Sequence, residues 1–317
     1  MKTAFQMEPL SAVTDKEFST TLLLLQEGLR RGYEVYQFAP LDLSLREGQL
    51  TAKAYQVREL DLGKTPFFGI DDAKRVNLAE FSAIHMRQNP PFNIEYITAT
   101  FLLEKAKTLV VNNPASVRNS VEKFFPLDFP EFIPPTLISA DFDEISEFKV
   151  KYREIIIKPI YSFGGEGVFL VRESRNLAAL IETLVRHYQT PMVIQQYIPQ
   201  IADGEKRLIL IDGELKGGLL KIPPKGEVRA NLGHGGRPGK AELSARDLAI
   251  AATVGKELKK RGIILAALDI IGDYLTEINV TSPSGLVDFT SLYNVALEKD
   301  YWDAVERICH SRVGGNP

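Results

Sequence analysis

The sequence predicts an α/β protein built from more than one domain, on three observations. Strand patterns alternate with amphipathic helix patterns along most of the chain, prolines cluster once between two such runs, and 317 residues exceed the about 100 to 200 of a single domain. Lysine and arginine number 38 against 41 acidic residues, giving a net charge of −3, with 44% hydrophobic and 25% charged residues. That composition is globular and lacks the global basic field that would argue for a nucleic-acid partner. One cysteine, Cys309, cannot close an intrachain disulfide, and no Cys/His set has zinc spacing, which suits a reducing compartment. The first ten residues hold Glu8 and Pro9 and no apolar signal core, and no run approaches the about 18 apolar residues of a membrane span. The expected address is the cytoplasm, with no membrane partner.

The first unit opens with a strand over 3–7, then a helix whose apolar face includes Leu22, Leu25 and Leu29, a stop at Gly32 and a strand over 33–38. A polar hairpin-like stretch surrounds Gly48, followed by a strand at 81–86, a helix over 97–105 and a strand at 108–111. Strands separated by helices imply a mostly parallel sheet covered on both faces. Pro126, Pro130, Pro134 and Pro135 mark a linker or boundary. Beyond it the pattern is strand, helix, a strand at 154–158, a glycine loop, a strand at 168–172, a helix over 177–188 and a strand at 192–197. The last region has a strand at 206–211, a turn at Asp212-Gly213, a Gly/Pro-rich segment, a helix over 245–261 and paired strands up to Val280. Residues 312–317 are expected to form a disordered tail.

Three clusters carry chemistry. From Lys158 to Gly167 (KPIYSFGGEG) a lysine ends an apolar strand and a glycine loop follows. Bared backbone N–H groups can approach phosphate while the ammonium adds a point charge; the alternative is a hairpin turn. The run matches neither GxxxxGK[ST] nor GxGxxG. From Leu268 to Thr281 (LDIIGDYLTEINVT) two apolar strands flank Gly272-Asp273, and Glu277 and Asn279, two apart, share one face. Oxygen ligands of that type suit Mg2+ bridged to nucleotide phosphates; the alternative is a solvated hairpin. A two-residue turn would oppose Asp269 to Thr276, so bringing Asp269 onto the face of Glu277 requires an odd-length connection or an equivalent bulge. The third cluster, Ile222 to Arg237, belongs to a segment with five glycines between Gly226 and Gly239. It is expected to be a mobile loop, either featureless or one whose Arg229, Asn231 and Arg237 clamp anions on closure together with Arg207. His85, His187, His234 and His310 share no spacing pattern; His85 is expected to be packed, and His234 and Cys309 have no assigned role.

The glycine loop at Lys158, the 226–237 loop and the hairpin leading to Pro283 together resemble prokaryotic glutathione synthetase, a member of the ATP-grasp ligases. The likeness extends to Met7-Glu8-Pro9, residues 30–33, 86–92, Asn113-Pro114 and 119–123, nearly the whole chain up to about Pro283. It implies an ATP-grasp fold preceded by an N-terminal parallel-sheet (pre-ATP-grasp) domain: 1–122, a central lid subdomain at 123–200, and a C-terminal subdomain at 201–317 carrying the mobile loop 222–239. The implied reaction joins γ-glutamylcysteine to glycine at the expense of ATP through an acyl phosphate. On this resemblance Lys123 and Lys158 contact the phosphates, Gly164 and Gly165 cover them, Gln195, Gln196, Tyr197 and Ile198 read the adenine, and Glu205 takes the ribose. Asp269, Glu277 and Asn279 hold Mg2+ or Mn2+. Arg87, Arg207, Arg229 and Asn231 bind the peptide carboxylates and the acyl phosphate, Arg207, Arg229 and Asn231 acting in catalysis, and the protein is a homo-oligomer. The chain departs from the family at Phe18-Ser19, at Lys221, which stands for an arginine, and at Ser284 to Asp288, where Val287 stands for an arginine. These departures keep two alternatives open: another ATP-grasp carboxylate-amine ligase, or a nucleotide-binding protein without turnover.

Overall fold

A computed structural model describes residues 1–231 and 235–314. His234 and the last three residues of the expected tail lie outside the described residues; Arg312 belongs to the final helix.

The first unit comprises β1 (Lys2–Gln6), α1 (Thr20–Arg30), β2 (Glu34–Phe38), β3 (Leu43–Arg46), β4 (Gln49–Leu60), β5 (Phe68–Ile70), β6 (Lys74–Asn77), β7 (Ala83–Met86), α2 (Ile94–Leu103), β8 (Leu109–Val111) and α3 (Pro114–Asn119). Ser19 starts α1 by accepting the Leu22 N–H at 3.2 Å, as an N-cap hydroxyl does. The sheet order is β3-β4-β2-β1-β7-β8, with β5 and β6 also on β4. Strands β2, β1, β7 and β8 pair in parallel, as the alternation predicts. The stretch around Gly48 is more than a hairpin: β3 to β6 form an antiparallel extension. Its long strand buries Leu50, Ala52 and Ala54 at a period of two, which leaves a polar exposed face.

The second unit has β9 (Thr136–Ser139), α4 (Phe142–Tyr152), β10 (Ile155–Pro159), β11 (Phe169–Val171), α5 (Leu177–Tyr188) and β12 (Met192–Gln196) in an antiparallel sheet of order β11-β10-β12-β9. It buries a core of its own around Ile145, Ile155, Ile157, Ile181 and Ile194. The proline-rich stretch before it is a boundary but no free linker: Phe125, Phe129 and Phe132 are buried in a core shared by the other two units, and Leu275 N–H donates to Phe132 O at 2.9 Å.

The third unit has β13 (Glu205–Ile211), β14 (Glu214–Ile222), β15 (Arg237–Lys240), α6 (Ala245–Lys260), β16 (Leu265–Ile271) and β17 (Tyr274–Asn279), antiparallel in the order β15-β14-β13-β16-β17, then α7 (Leu286–Tyr293) and α8 (Leu297–Gly314). Strands β14 and β15 pair at Ile222 and Arg237, so the expected loop is narrower than 222–239 at both ends. Helix α8 returns to the first unit: Trp302 is fully buried, donates its indole N–H to Leu24 O at 2.8 Å, and lies so close to Gly28 that a Cβ there would sit 2.9 Å from its ring. His85 is packed beside it, as expected, stacked on Phe5. No helix among the described residues is long and apolar enough to cross a membrane.

Candidate active site

Strand alternation puts one side chain in two on each face, and the pairing of β13, β14, β16 and β17 aligns the polar ones. Arg207 is the Cα partner of Asp269, and Asp269 of Glu277; Glu205 is opposite Lys221, and Asn279 opposite Ala267. Two-residue alternation then gathers Glu205, Arg207, Lys221, Asp269, Glu277 and Asn279 on one face. The register condition for Asp269 is met by the bulge. The turn at Gly272-Asp273 has two residues, Ile270 opposes Leu275, and the register then shifts by one so that Thr276 is the extra residue. Its hydroxyl donates to Asp269 O at 3.0 Å.

This face forms the floor of a cavity of about 540 Å³, roofed by the second sheet through Ile156, Lys158, Gln195 and Ile198 and by the glycine loop at Gly164 and Gly165. Residues 228–231 form a side wall, and Asn89, Pro90 and Thr281 to Ser284 form the rim toward the first unit. Gly165 has φ +83°, and a Cβ there would lie 3.2 Å from Arg229 Cδ, so the glycine lets the two loops close on each other.

The charges are paired in two groups. Arg207 grips Asp269 with Nε to Oδ1 at 2.9 Å and Nη2 to Oδ2 at 2.7 Å, and donates through Nη1 to Ser284 Oγ at 3.0 Å. Lys221 Nζ bridges Glu205 at 2.5 Å and Asp269 at 3.1 Å, and Asn279 Nδ2 donates to Asp269 Oδ2 at 3.2 Å. In the second group, Glu277 Oε1 lies 3.6 Å from Lys158 Nζ and 4.0 Å from Lys123 Nζ, while Lys123 also donates to the Ser162 carbonyl. Burial works against charge on Asp269, yet Arg207 and Lys221 hold its carboxyl well below the usual range. Burial raises Glu205 despite Lys221. Burial lowers the Lys158 ammonium, and Glu277 opposes that shift. For Glu277 itself, burial is outweighed by the two lysines, and its pKa is lowered. Two buried ammonium groups so close together need an anion, which the carboxylate supplies here and a phosphate chain can supply.

The sequence-predicted residues are brought together with three qualifications. Glu205, expected at the ribose, is held by Lys221 within the floor. Gln196 and Tyr197 donate their N–H groups to Pro135 O and Glu154 O, so neither N–H is left for the adenine contact expected of this stretch. Arg87, expected to bind a substrate carboxylate, does not line the cavity: it is buried behind the rim, donating to Thr21 Oγ1 at 3.1 Å and Pro283 O at 3.0 Å. No group of three His, Cys, Asp or Glu among the described residues is placed to hold a metal ion. The donors fit Mg2+ only as a mixed set in which Asn279 and substrate oxygens complete the shell, the usual arrangement for that hard ion. Asn279 turns its amide nitrogen to Asp269 and Ala267, which leaves Oδ1 as its end for a cation. Sequence reasoning did not give site roles to Lys221 and Glu122. Lys221 faces the floor through the β13–β14 register, and Glu122 lies beside Lys123, lines the cavity, accepts from Thr281 Oγ1 at 3.1 Å, and is raised to about 7 by burial and by Glu277.

The profile of the prokaryotic glutathione synthetase N-terminal domain matches residues 1–118, and that of the prokaryotic glutathione synthetase ATP-grasp domain matches residues 122–294. The chain is 40% identical over 307 residues to the glutathione synthetase of Agrobacterium fabrum, covering 96% of each, and 41% identical over 309 residues to that of Brucella melitensis, covering 96% of this chain and 98% of the relative. Among solved structures, D-cycloserine synthetase DcsG superposes with a TM-score of 0.67 at 17% identity, covering 97% of this chain and 99% of that one. The ATP-grasp ligase PsnB, complexed with precursor peptide PsnA2 and AMPPNP, gives 0.61 at 17% identity, covering 98% of each. The PsnB match and the ATP-grasp domain profile establish the ATP-grasp fold. With both domain profiles and full-length relatives in agreement, the chain belongs to the prokaryotic glutathione synthetase family of ATP-dependent ligases.

Proposed function

We propose that the cavity joins γ-glutamylcysteine to glycine, with Lys123 and Lys158 on the ATP phosphates. The observation that carries this is Glu277, set 4.0 and 3.6 Å from those two ammonium groups on the sheet face that also bears Asp269 and Asn279. Gly164 and Gly165 cover the phosphates, Gln195 to Ile198 hold the adenine, and Glu205 reaches the ribose only if Lys221 releases it. Asp269, Glu277 and Asn279 would hold Mg2+, or Mn2+ in its place, and the ion would supply charge neutralisation at the phosphoryl group.

The chemistry then needs positioning more than a protein nucleophile. A cysteinyl carboxylate oxygen attacks the γ-phosphorus and ADP leaves. The glycine nitrogen attacks the acyl carbon, phosphate departs with the C–O bond pair, and the nitrogen loses its extra proton to water. Arg207, fixed by Asp269, faces the negative charge at both stages, and Arg229 and Asn231 bring the side wall over the intermediate, which water would otherwise hydrolyse. The same assignment divides the chain at 122/123 and 200/201, places the protein in the ATP-containing reducing cytoplasm, and makes it a homo-oligomer.

Incubation with ATP, γ-glutamylcysteine and glycine tests it: glutathione, ADP and phosphate are expected in equal amounts. Phosphate release only with other amine acceptors would instead select a different carboxylate-amine ligase.

A further inference from the structure

Among the described residues four carboxylates line the cavity, and three of them are held by cations. Glu205 lies against Lys221, Asp269 against Arg207 and Lys221, and Glu277 between Lys123 and Lys158. Glu122 is the fourth, and no ion pair joins it to a cation among the described residues. Its backbone is fixed by the Ile278 N–H, which donates to Glu122 O at 3.1 Å, and its side chain by the Thr281 hydroxyl, which donates to Oε1 at 3.1 Å. Oε2 takes no hydrogen bond among the described residues, yet it is not sealed inside the protein, since the residue is only partly buried and lines the cavity.

Lys123, the next residue, sends its ammonium toward Glu277 and the Ser162 carbonyl. Adjacent residues thus give the phosphate end a cation and the side of Thr281 an unpaired carboxylate. A carboxylate clamped by a guanidinium or an ammonium is a poor base, because taking a proton breaks the pair. Glu122 has no pair to break. Burial and the charge of Glu277 raise its carboxyl to about 7 against the pull of Lys123, the Thr281 hydroxyl and Arg207, and Tyr96 of α2 also feels its charge. A base of that strength works at neutral pH. Phosphoryl transfer makes no demand for one, since the attacking carboxylate is already ionised. The second step does: glycine arrives as an ammonium, and its nitrogen has no lone pair until a proton leaves.

We propose that Glu122 is the general base that deprotonates the acceptor ammonium, receiving the proton on Oε2 while Thr281 holds Oε1. The proposal rests on the ligase assignment above. The proton passes from nitrogen to Oε2, the N–H bond pair becomes the lone pair that forms the C–N bond to the acyl carbon, and phosphate leaves with the C–O pair. The proton then in excess on nitrogen goes to water, and Glu122 returns its own to solvent before the next turnover. The paired carboxylates cannot share the task. Protonating Asp269 would loosen Arg207 and Lys221 from the floor, and protonating Glu277 would leave two buried ammonium groups without a countercharge.

The test compares wild type with Glu122→Gln, which keeps an oxygen for the Thr281 hydroxyl and removes the basic one. The readout is kcat/KM for the acceptor, first glycine and then hydroxylamine, with ATP, Mg2+ and γ-glutamylcysteine saturating. Hydroxylamine is largely unprotonated at neutral pH, so it needs no base. With glycine at pH 7 the variant is expected to be about 100-fold slower. With hydroxylamine it is expected to form the hydroxamate within about twofold of wild type, which also shows that it is folded and makes the acyl phosphate. From pH 8 to pH 9 the wild-type glycine reaction is expected to stay level, whereas that of the variant rises about tenfold, because solution must then supply the free amine. An equal fall with both acceptors, parallel pH profiles in the two proteins, or an unchanged glycine reaction in the variant overturns the base while leaving the ligase assignment intact. Wild type that makes no glutathione overturns the assignment and the base with it.

Discussion

Arg207 on β13 and Asp269 on β16 are cross-strand partners joined by two parallel hydrogen bonds of 2.9 and 2.7 Å, and Asp269 is 1% exposed. Such a pair is rigid in a way that a lysine in the place of Arg207 could not reproduce. Arg207→Met leaves the carboxylate to Lys221 and Asn279 alone. We expect it to lose about 2–4 kcal/mol of stability, as when one partner of a buried ion pair is removed, and peptide formation to fall about 100-fold or more. Urea denaturation and steady-state kinetics measure the two, and a midpoint equal to wild type would show that the pair contributes nothing to the fold.

Glu277→Gln separates site from scaffold differently. Besides its proposed part at the metal, Glu277 is the countercharge of two buried lysines. Its loss should lower the stability of the nucleotide-free protein by about 1–3 kcal/mol and abolish most turnover. Added ATP without metal should restore more stability to this variant than to wild type, since the triphosphate supplies the missing negative charge. Equal shifts in thermal melting for the two proteins would count against phosphates lying at Lys123 and Lys158.

His85 sets an acid limit. Thr3 donates its single hydroxyl proton to Ala83 O at 3.0 Å, so His85 Nε2 must donate to Thr3 at 2.8 Å, which leaves Nδ1 to accept from the Tyr301 hydroxyl at 2.5 Å. A second ring proton finds an acceptor only if the buried Tyr301 hydroxyl turns its own proton away from Nδ1, and burial lowers the histidine to about 3. The folded state therefore binds fewer protons than the unfolded one between pH 3 and about 6.5. The corresponding stability is complete above about 6.5 and declines as pH falls, by about 2 kcal/mol at pH 5. His85→Gln should be less stable at pH 8 and lose less than wild type between pH 7 and pH 5. Parallel pH profiles of urea midpoints for the two proteins would refute this.

Arg229→Ala should uncouple the reaction. The arginine lies over Gly165 and is bonded to Glu227 at 2.6 Å, so the two loops meet through it. If they shield the intermediate, the variant hydrolyses ATP with γ-glutamylcysteine present and releases more phosphate per glutathione than wild type. The ratio of phosphate to glutathione is the readout, and equal loss of both would reduce Arg229 to a binding residue.

Local chemistry was legible in the sequence where it was local in the fold. The helix over 177–188 ends where the pattern says, and the requirement that Asp269 oppose Glu277 foretold an irregularity that the Thr276 bulge supplies. What the sequence hid depends on distant pairings. Lys221 reads as a lysine two residues before a proline pair until β14 lies against β13 and sets it opposite Glu205. The grip of Arg207 on Asp269 spans 62 residues, and the fate of the N–H groups of Gln196 and Tyr197 depends on Pro135 and Glu154 across the sheet. Antiparallel additions such as β3 to β6 carry no helix between them, so an alternation rule cannot announce them.

The return of α8 onto α1 has a consequence for folding. Trp302, seated against Gly28 and Leu24, closes an apolar wall of the first unit from 278 residues away along the chain. The first unit cannot cover that wall with neighbours in sequence, so its apolar surface stays open until α8 docks. Cutting α8 away would thus damage the first unit more than the second, whose core is its own.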